Sequence, residues 1–193
     1  MSEHQHDQHH DHHGLAEVLD LDAEIFATTL QGMYDDIDQA ADSPVRSILD
    51  LGAGTGSGTF GLLQHFSDAH AVAVDTSADM LAHLEQQAEH LGLSDRVTTL
   101  RADLDEEVPP VRDVDLVWAS ASLHHLVDPD RTLAQVAATI RPGGLMAVAE
   151  LDGFPRFVPD ETPGGAAERR AHGCSPPTAR STCLPWAATG DHD

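Results

Sequence analysis

The residues best suited to chemistry in this chain are glycines. Gly52, Gly54, Gly56 and Gly58 follow directly on the apolar run that ends in Asp50, within VRSILDLGAGTGSGT at residues 45–59. An apolar run that breaks into glycines reads as a buried strand turning tightly into a helix. Glycine suits that turn because the backbone must enter conformations closed to residues with a Cβ, and because a ligand must approach the main chain closely. The first N–H groups of the helix then point into the turn and make it a cradle. Spacing narrows the ligand. A dinucleotide fingerprint G-x-G-x-x-G begun at Gly52 meets Ser57 where its third glycine belongs, and begun at Gly54 it meets Thr59. Begun at Gly56 it matches through Gly58 and Gly61, but that register lies inside the expected helix, where its first glycine cannot make the turn. What stands at the turn itself is G-x-G-x-G.

Stepping along the chain supplies the elements that must position this turn. From Leu15 to about Ala41 the apolar residues Leu15, Val18, Leu19, Phe26, Leu30, Met33 and Ile37 fall at helical steps. One helix broken near Asp20 to Asp22, or two short ones, fits the pattern. It either packs its stripe on the core or forms a lid over a ligand with Met33 and Tyr34 near the site. Pro44 ends it. Strands are expected at Arg46–Leu51, Ala71–Val74, Val97–Arg101, Val114–Ala119 and Leu145–Glu150. Between them lie helices at about Ser57–Phe66 and Ala78–Leu91, the latter capped by Gly92, and a third carrying Leu133, Val136, Ala137 and Ile140. An acidic link, Asp105–Pro110, precedes the fourth strand, a loop Ser120–Asp130 follows it, and RPGG at Arg141–Gly144 turns into the fifth.

Alternation of helix and strand, with strands that are mostly continuous apolar runs, argues for an α/β fold: a Rossmann-like, doubly wound, mostly parallel sheet with helices on both faces. Ligands of such sheets bind beyond the carboxyl ends of the strands, near the reversal of strand order. Asp50, Asp75, Asp103 and Ser120 mark the ends of strands one to four in turn. Helix capping explains any one of them and explains the set poorly. The expected division is a histidine-rich, disordered stretch at 1–14, a helical cap at 15–43, a ligand-binding core at 44–152 and a proline- and glycine-rich tail at 153–193.

Composition sets limits on function. At 193 residues the chain is most simply one domain with room for a real core. Its basic residues are ten arginines and no lysine against 33 acids, a net charge of −23, so no patch exists to neutralise phosphates and no nucleic-acid partner is expected. The charge reads instead as a soluble acidic protein kept apart by self-repulsion. No apolar run approaches the ~18 residues of a membrane span, and the N-terminus lacks the basic and apolar regions of a signal peptide, so no membrane association and a cytoplasmic location are expected. Met1–Gly14 holds six of the fourteen histidines. Such a density binds divalent metals loosely but implies no fixed geometry, and no metal site is expected. Cys174 and Cys183, the only cysteines, lie near the C-terminus, so the core carries neither a disulfide nor a cysteine metal site.

The landmarks LDLGAGTG, VAVDTSADML, RADLDE, DVDLVWASASLHHLVD and TIRPGGLMAVAEL, in this order over about Val45–Leu151, resemble the class I S-adenosylmethionine-dependent methyltransferases. The nearest resemblance is to small-molecule methyltransferases of the ubiquinone and menaquinone biosynthesis type, in which an LHHL segment recurs after strand four. The resemblance implies S-adenosyl-L-methionine as cofactor and a small-molecule methyl acceptor as partner. By that resemblance Gly52, Ala53, Gly54 and Gly56 would lie against the methionine part, and Asp50 would help hold its ammonium group through water. Asp75 would accept from both ribose hydroxyls, which needs two acceptor oxygens on a short stem. Met80, or the turn from Thr76 to Ala78, would flank the adenine. Asp103 would accept from the adenine amino group, with backbone of Ala102 and Leu104 nearby. Ser120 and Ala121 would line the floor beneath the sulfonium.

A dehydrogenase is the obvious competitor, since an acid after strand two also binds the ribose of a nicotinamide cofactor. The glycines in register with the strand end are wrongly spaced for a pyrophosphate, and Asp103 suits an adenine at strand three. Methyl transfer needs an in-line nucleophile, and a general base only when the acceptor arrives protonated. His124 and His125 are the candidates for that base, or are structural histidines fixing their loop. His65, His83 and His90 sit on expected helices and should face solvent. After strand four, ASASLHH lacks the Asn-Pro-Pro-Tyr or Asp-Pro-Pro-Tyr clamp of nucleic-acid amino methyltransferases.

The tail departs from the family. Class I enzymes continue with a helix and two further strands, whereas residues 153–193 hold six prolines and five glycines without apolar periodicity. Residues 1–152 carry 28 acids and six arginines, and the tail five acids and four arginines. Phe154–Pro159 still looks like the bend leaving strand five. Beyond about Thr162 three readings stand open: a divergent folded end, a disordered tail, or a change of reading frame. The first functional hypothesis is an active small-molecule methyltransferase. The second is a cofactor-binding fold without turnover, as a fragment or as a binding partner of another subunit.

Overall fold

The computed structural model describes residues 7–150, together with 161, 162 and 165. The chain divides into two units, Met1–Glu150 and Leu151–Asp193. Of the second, a turn closed by the Gly165 N–H on the Thr162 carbonyl at 3.0 Å is described. Phe154–Pro159, Cys174 and Cys183 lie outside the described residues, as do residues 1–6.

The first unit runs α1 (Asp7–Ile25), α2 (Ala27–Ala40), β1 (Ser47–Leu51), α3 (Ser57–His65), β2 (His70–Asp75), α4 (Ala78–His90), β3 (Val97–Arg101), β4 (Val114–Ser120), α5 (Pro129–Ala137) and β5 (Ile140–Ala149). Single 3₁₀ turns stand at Ser94–Arg96 and Leu123–His125. All strand pairs are parallel, in the order β3-β2-β1-β4-β5. β1 is the centre, and the order reverses between it and β4. The α/β expectation therefore holds, with β5 the last strand of the sheet among the described residues.

Alternation along β1 sends successive side chains to opposite faces. Ile48 packs with Leu62 and Leu63 of α3 and Phe66 just past it, Tyr34 and Ile37 of α2, and Leu116 and Trp118 of β4. On the same face Leu84 and Ala88 of α4 meet Phe60 and Ala73. Leu49 and Leu51 face the other way, toward Val74, Val117, Ala119, Leu104 and Val136 of α5. Strands buried on both faces need no polar alternation, which is why they read as apolar runs.

Local chemistry sets the element ends. Ser77 caps α4 by accepting the Met80 N–H at 3.3 Å, and Asp128 caps α5 by accepting the Arg131 N–H at 3.1 Å with Pro129 in the first turn. Past α4, Gly92 at φ +68° donates to the Glu89 carbonyl at 3.1 Å and Leu93 to Ala88 at 2.8 Å, a left-handed stop. Arg96 closes α3 from a distance: its guanidinium donates to the carbonyls of Leu63, Phe66 and Ala69 at 2.9, 2.8 and 2.8 Å.

Several expectations are corrected. The break between the first two helices falls at Phe26, not at Asp20–Asp22, and α1 begins at Asp7, so it takes in the second half of the histidine-rich stretch. Tyr34 is 4% exposed and its ring meets Trp118 edge-on at 5.7 Å, which makes α2 a core helix and not a lid. His65 does not face solvent: it packs on Phe66 at 4.7 Å and joins Gln31 at 3.0 Å. His83 is half-buried, 3.4 Å from Asp20 of α1, and His90 is exposed as expected. α5 stops at Ala137 and Ile140 already belongs to β5, because Arg141–Gly144 is absorbed as a bulge opposite Val114–Leu116. Pro142 has no N–H to give the ladder, and the irregularity accommodates it.

Candidate active site at the carboxyl ends of the strands

The glycine turn is fixed from both sides. Gly52 and Ala53 both donate to the Val74 carbonyl of β2, at 2.8 and 2.9 Å, and Gly56 donates back to Ala53 at 2.9 Å. Gly52 has φ +69°, and a Cβ there would collide with the Ser122 side chain. At Gly56, φ is +89°, and a Cβ would come within 2.6 Å of Leu84 and 2.9 Å of Phe60. Both positions thus need glycine for conformation and for space. Leu19 of α1 approaches the second glycine of the turn, 3.6 Å from where a Gly54 Cβ would stand. α1, not α2, is the helix that reaches the turn.

Asp75 stands at the end of β2 beside this turn. Its Oδ2 accepts the Gly54 N–H at 2.9 Å and its Oδ1 accepts the Ser77 N–H at 2.8 Å. One carboxylate therefore joins the glycine turn to the first turn of α4, and each oxygen keeps a further lone pair. Thr76 lies between, its carbonyl taken by Arg101 Nε at 3.0 Å, and Met80 is buried one turn into α4. Beyond β3, the Ala102 N–H donates to the Asp75 carbonyl at 3.1 Å, Asp103 Oδ1 accepts the Asp105 N–H at 2.9 Å, and Leu104 is buried in the core.

Asp50 is placed differently from its neighbours. It is 2% exposed on the α3 face of β1, where its Oδ2 accepts the Thr59 hydroxyl at 2.5 Å. Burial pushes its carboxyl up to about 7, against the opposing Thr59 hydrogen bond and with the Asp75 charge adding to the rise. In this structure the carboxyl ties β1 to α3 beneath the turn. Burial, helped by the Asp50 charge, also raises the Tyr34 phenol to about 12.

The loop after β4 closes the other side of the site. Ser120 ends β4, and Ala121, at φ +49°, donates to the Ala149 carbonyl at 2.7 Å. Ser122 Oγ donates to the Leu51 carbonyl at 2.8 Å, which presses this loop onto the glycine turn at the reversal of strand order. Glu150, just past β5, organises the rest. Its Oε1 accepts the N–H groups of Ser122 and Leu123 at 3.0 and 2.8 Å, and its Oε2 lies 2.8 Å from His124 Nδ1. A carboxylate is acceptor-only when ionised, so in the neutral imidazole this bond puts the proton on Nδ1 and leaves Nε2 as the acceptor. The His125 ring lies beside it, tilted by 45° with ring centres 4.0 Å apart.

The sequence-derived residues thus converge at the carboxyl ends of β1 to β4, apart from the carboxyl of Asp50. Ser122, Asp105 and Glu150 were missed. Glu150 carried a readable signal, being the polar residue that ends strand five as Asp75 ends strand two. Ser122 and Asp105 carried none. Among the described residues no group of three or more His, Cys, Asp or Glu side chains is arranged to hold a metal ion.

The cradle fits the methionine and adenosine parts of S-adenosylmethionine on two observations. Side chains are sterically excluded from the turn at Gly52 and Gly56, and a carboxylate with spare lone pairs is fixed directly beside it. Comparison with known proteins agrees. Residues 49–146 match the family described as "Methyltransferase domain". The chain is 33% identical over 128 residues to trans-aconitate 2-methyltransferase of Azoarcus sp. (strain BH72), covering 65% of this chain and 48% of that one. It is 35% identical over 109 residues to ubiquinone biosynthesis O-methyltransferase of Bradyrhizobium sp. (strain ORS 278), covering 54% and 40%. The chain thus spans about half or less of the length of these relatives. The crystal structure of a SAM-dependent methyltransferase from Aquifex aeolicus superposes with a TM-score of 0.56 at 19% identity, covering 66% of this chain and 68% of that one, which supports the fold. Strand order, glycine turn and family match lead to one conclusion: the chain belongs to the methyltransferase domain family, with the class I S-adenosylmethionine-dependent fold.

Proposed function

We propose that this protein transfers a methyl group from S-adenosyl-L-methionine to a small-molecule acceptor. The observation that carries the reading is Asp75, held by the Gly54 and Ser77 N–H groups at the junction of glycine turn and α4, with two oxygens to offer a ribose. Gly52, Ala53, Gly54 and Gly56 would receive the methionine part; Thr76, Met80, Ala102, Asp103 and Leu104 the adenine; Ser120 the region of the sulfonium. Bound there, the cofactor supplies an electrophilic methyl group.

The chain's own residues would do the rest by positioning and by handling a proton. Glu150 orients His124 through Nδ1, so that Nε2 can take a proton from an acceptor hydroxyl or ammonium, and Glu150 then faces the resulting imidazolium. The same carboxylate holds the loop backbone, so base and loop move as one. His125 would line the acceptor side. The acidic balance of 33 acids to ten basic residues supports a small metabolite over nucleic acid. No helix among the described residues is long and apolar enough to cross a membrane.

Calorimetric titration with S-adenosylhomocysteine tests the cofactor site, and transfer of labelled methyl to a metabolite panel tests turnover. Binding is expected in the wild type. Asp75→Ala removes two acceptor bonds from a charged group, each worth about 1.5–3 kcal/mol, so affinity should fall by about 100-fold or more. Unchanged affinity in a folded variant refutes the ribose assignment.

A further inference from the structure

We propose that Asp105 is a positioning residue that links occupancy of the adenine end of the cofactor site to the loop carrying His124 and His125. The inference rests on the reading above, in which Asp103 receives the adenine amino group. The segment from Asp103 is folded tightly on itself: Asp103 Oδ1 accepts the Asp105 N–H at 2.9 Å, and its carbonyl accepts the N–H groups of Glu106 and Glu107 at 3.0 and 2.9 Å. An interaction at the Asp103 carboxylate is therefore one hydrogen bond away from the main chain of Asp105.

From the same segment three bonds cross to the far side of the histidine loop. Asp105 Oδ1 accepts the Val127 N–H at 2.9 Å, the Asp105 carbonyl accepts the Arg131 guanidinium, and the Leu104 carbonyl accepts the Thr132 hydroxyl at 3.3 Å. The last two bonds anchor α5. Of these three bonds only the one to the Asp105 carboxylate reaches the loop itself, two residues past His125, where it adds to the packing of Leu123 and Leu126 against the core cluster that holds Leu104. Val127 is 87% exposed, so packing does not hold it in place. The loop is thus clamped at its start by Glu150, on Ser122 and Leu123, and at its end by Asp105. The second clamp is built on the adenine segment. A ligand that orders Asp103–Asp105 stiffens the clamp, and by linkage an acceptor that orders the loop favours the cofactor.

The test is amide hydrogen exchange on the full chain, with and without S-adenosylhomocysteine. It reads the His125 and Leu126 amides, which donate to Ser122 and Leu123 and do not touch Asp105. In the wild type the ligand should slow their exchange by about tenfold. Asp105→Ala should keep ligand affinity within about threefold and lose the slowing, while Asp105→Asn, which retains an acceptor oxygen, should restore it. Slowing that persists in Asp105→Ala, or is missing from a wild type that binds the ligand, overturns the clamp. Should Asp105→Ala fail to fold, the Asp105→Asn comparison decides, since loss of the slowing there also overturns it. No binding to the wild type at all overturns the cofactor reading, and this inference with it.

Discussion

Asp50, Asp75 and Glu150 are all carboxylates at strand ends, yet their surroundings give them three different jobs. Asp75 is half-exposed and holds two backbone N–H groups; Glu150 holds two more and a histidine; Asp50 is buried against a single hydroxyl. For the His124–Glu150 pair, His124→Ala should lower kcat by about 10²-fold or more for an acceptor that must lose a proton, while leaving S-adenosylhomocysteine affinity unchanged. A fall in affinity with intact kcat would make His124 a binding residue. Asp50 has a consequence for stability. Its folded carboxyl lies near 7, above the ordinary carboxylate range near 4, so the native state holds a proton that the unfolded state has released. Its stabilising contribution is complete below about pH 4 and is lost as pH rises toward 7. Asp115 acts in the opposite sense: burial would raise it, but Arg141, Arg46 and Ser47 hydrogen bonds outweigh burial and hold it at about 2, so its contribution is lost as pH falls below 4. Asp50→Asn, which still accepts from Thr59, should flatten the decline of stability between about pH 4 and 7 and raise stability at pH 8. Denaturant titrations across that range check this, and an unaltered slope would mean that Asp50 stays ionised.

At the scale of elements, the sheet is held by contacts that do not follow sequence order. Arg96 lies just before β3 but satisfies the last carbonyls of α3, where the helix dipole also favours a cation. Arg96→Ala removes the guanidinium from the carbonyls of Leu63, Phe66 and Ala69, of which Phe66 keeps the Ala69 N–H, and should cost about 2–4 kcal/mol, read as a lower urea midpoint at unchanged m. A loss below about 0.5 kcal/mol would show that water replaces the guanidinium. At the opposite end of the sheet, Asp115 of β4 accepts the N–H groups of Arg46 and Ser47, both at 2.9 Å, and Arg141 Nε at 2.6 Å, so the start of β1 is registered against β4 and β5 together. Arg141 continues to Asp42 and Ser43 at 3.0 and 2.6 Å, fastening the exit from α2. With the lower end so fixed, the carboxyl ends are free to be loops, and loops can carry the chemistry.

For the whole molecule, charge dominates. A net −23 on 193 residues opposes compaction by self-repulsion. Raising KCl from about 0.1 M to 1 M shortens the screening length from about 10 Å to 3 Å, and the melting temperature should rise by several degrees. A melting temperature that is flat or falls with KCl would show that the acids are already balanced locally.

The α/β class, the strand ends and most of the residues at the carboxyl edge of the sheet were legible because they depend on local rules: apolar runs, glycine spacing, and acids where strands stop. The exact placement of Asp50 was not legible, because a residue one step from a strand end faces either the ligand or a helix according to the pleat and the packing of α3. Nor was the break at Phe26, since aspartates near 20 look like a helix stop when the packing of α1 on the glycine turn is unknown. The sequence by itself determined which residues gather at the carboxyl edge of the sheet and which fold gathers them. Only the tertiary structure decided how they are joined: Glu150 to His124 across 26 residues, Asp105 to Val127 across 22, Ser122 to Leu51 across 71. Such partners are set by the strand order and by the folding of loops over one edge, and no local pattern in the chain records either.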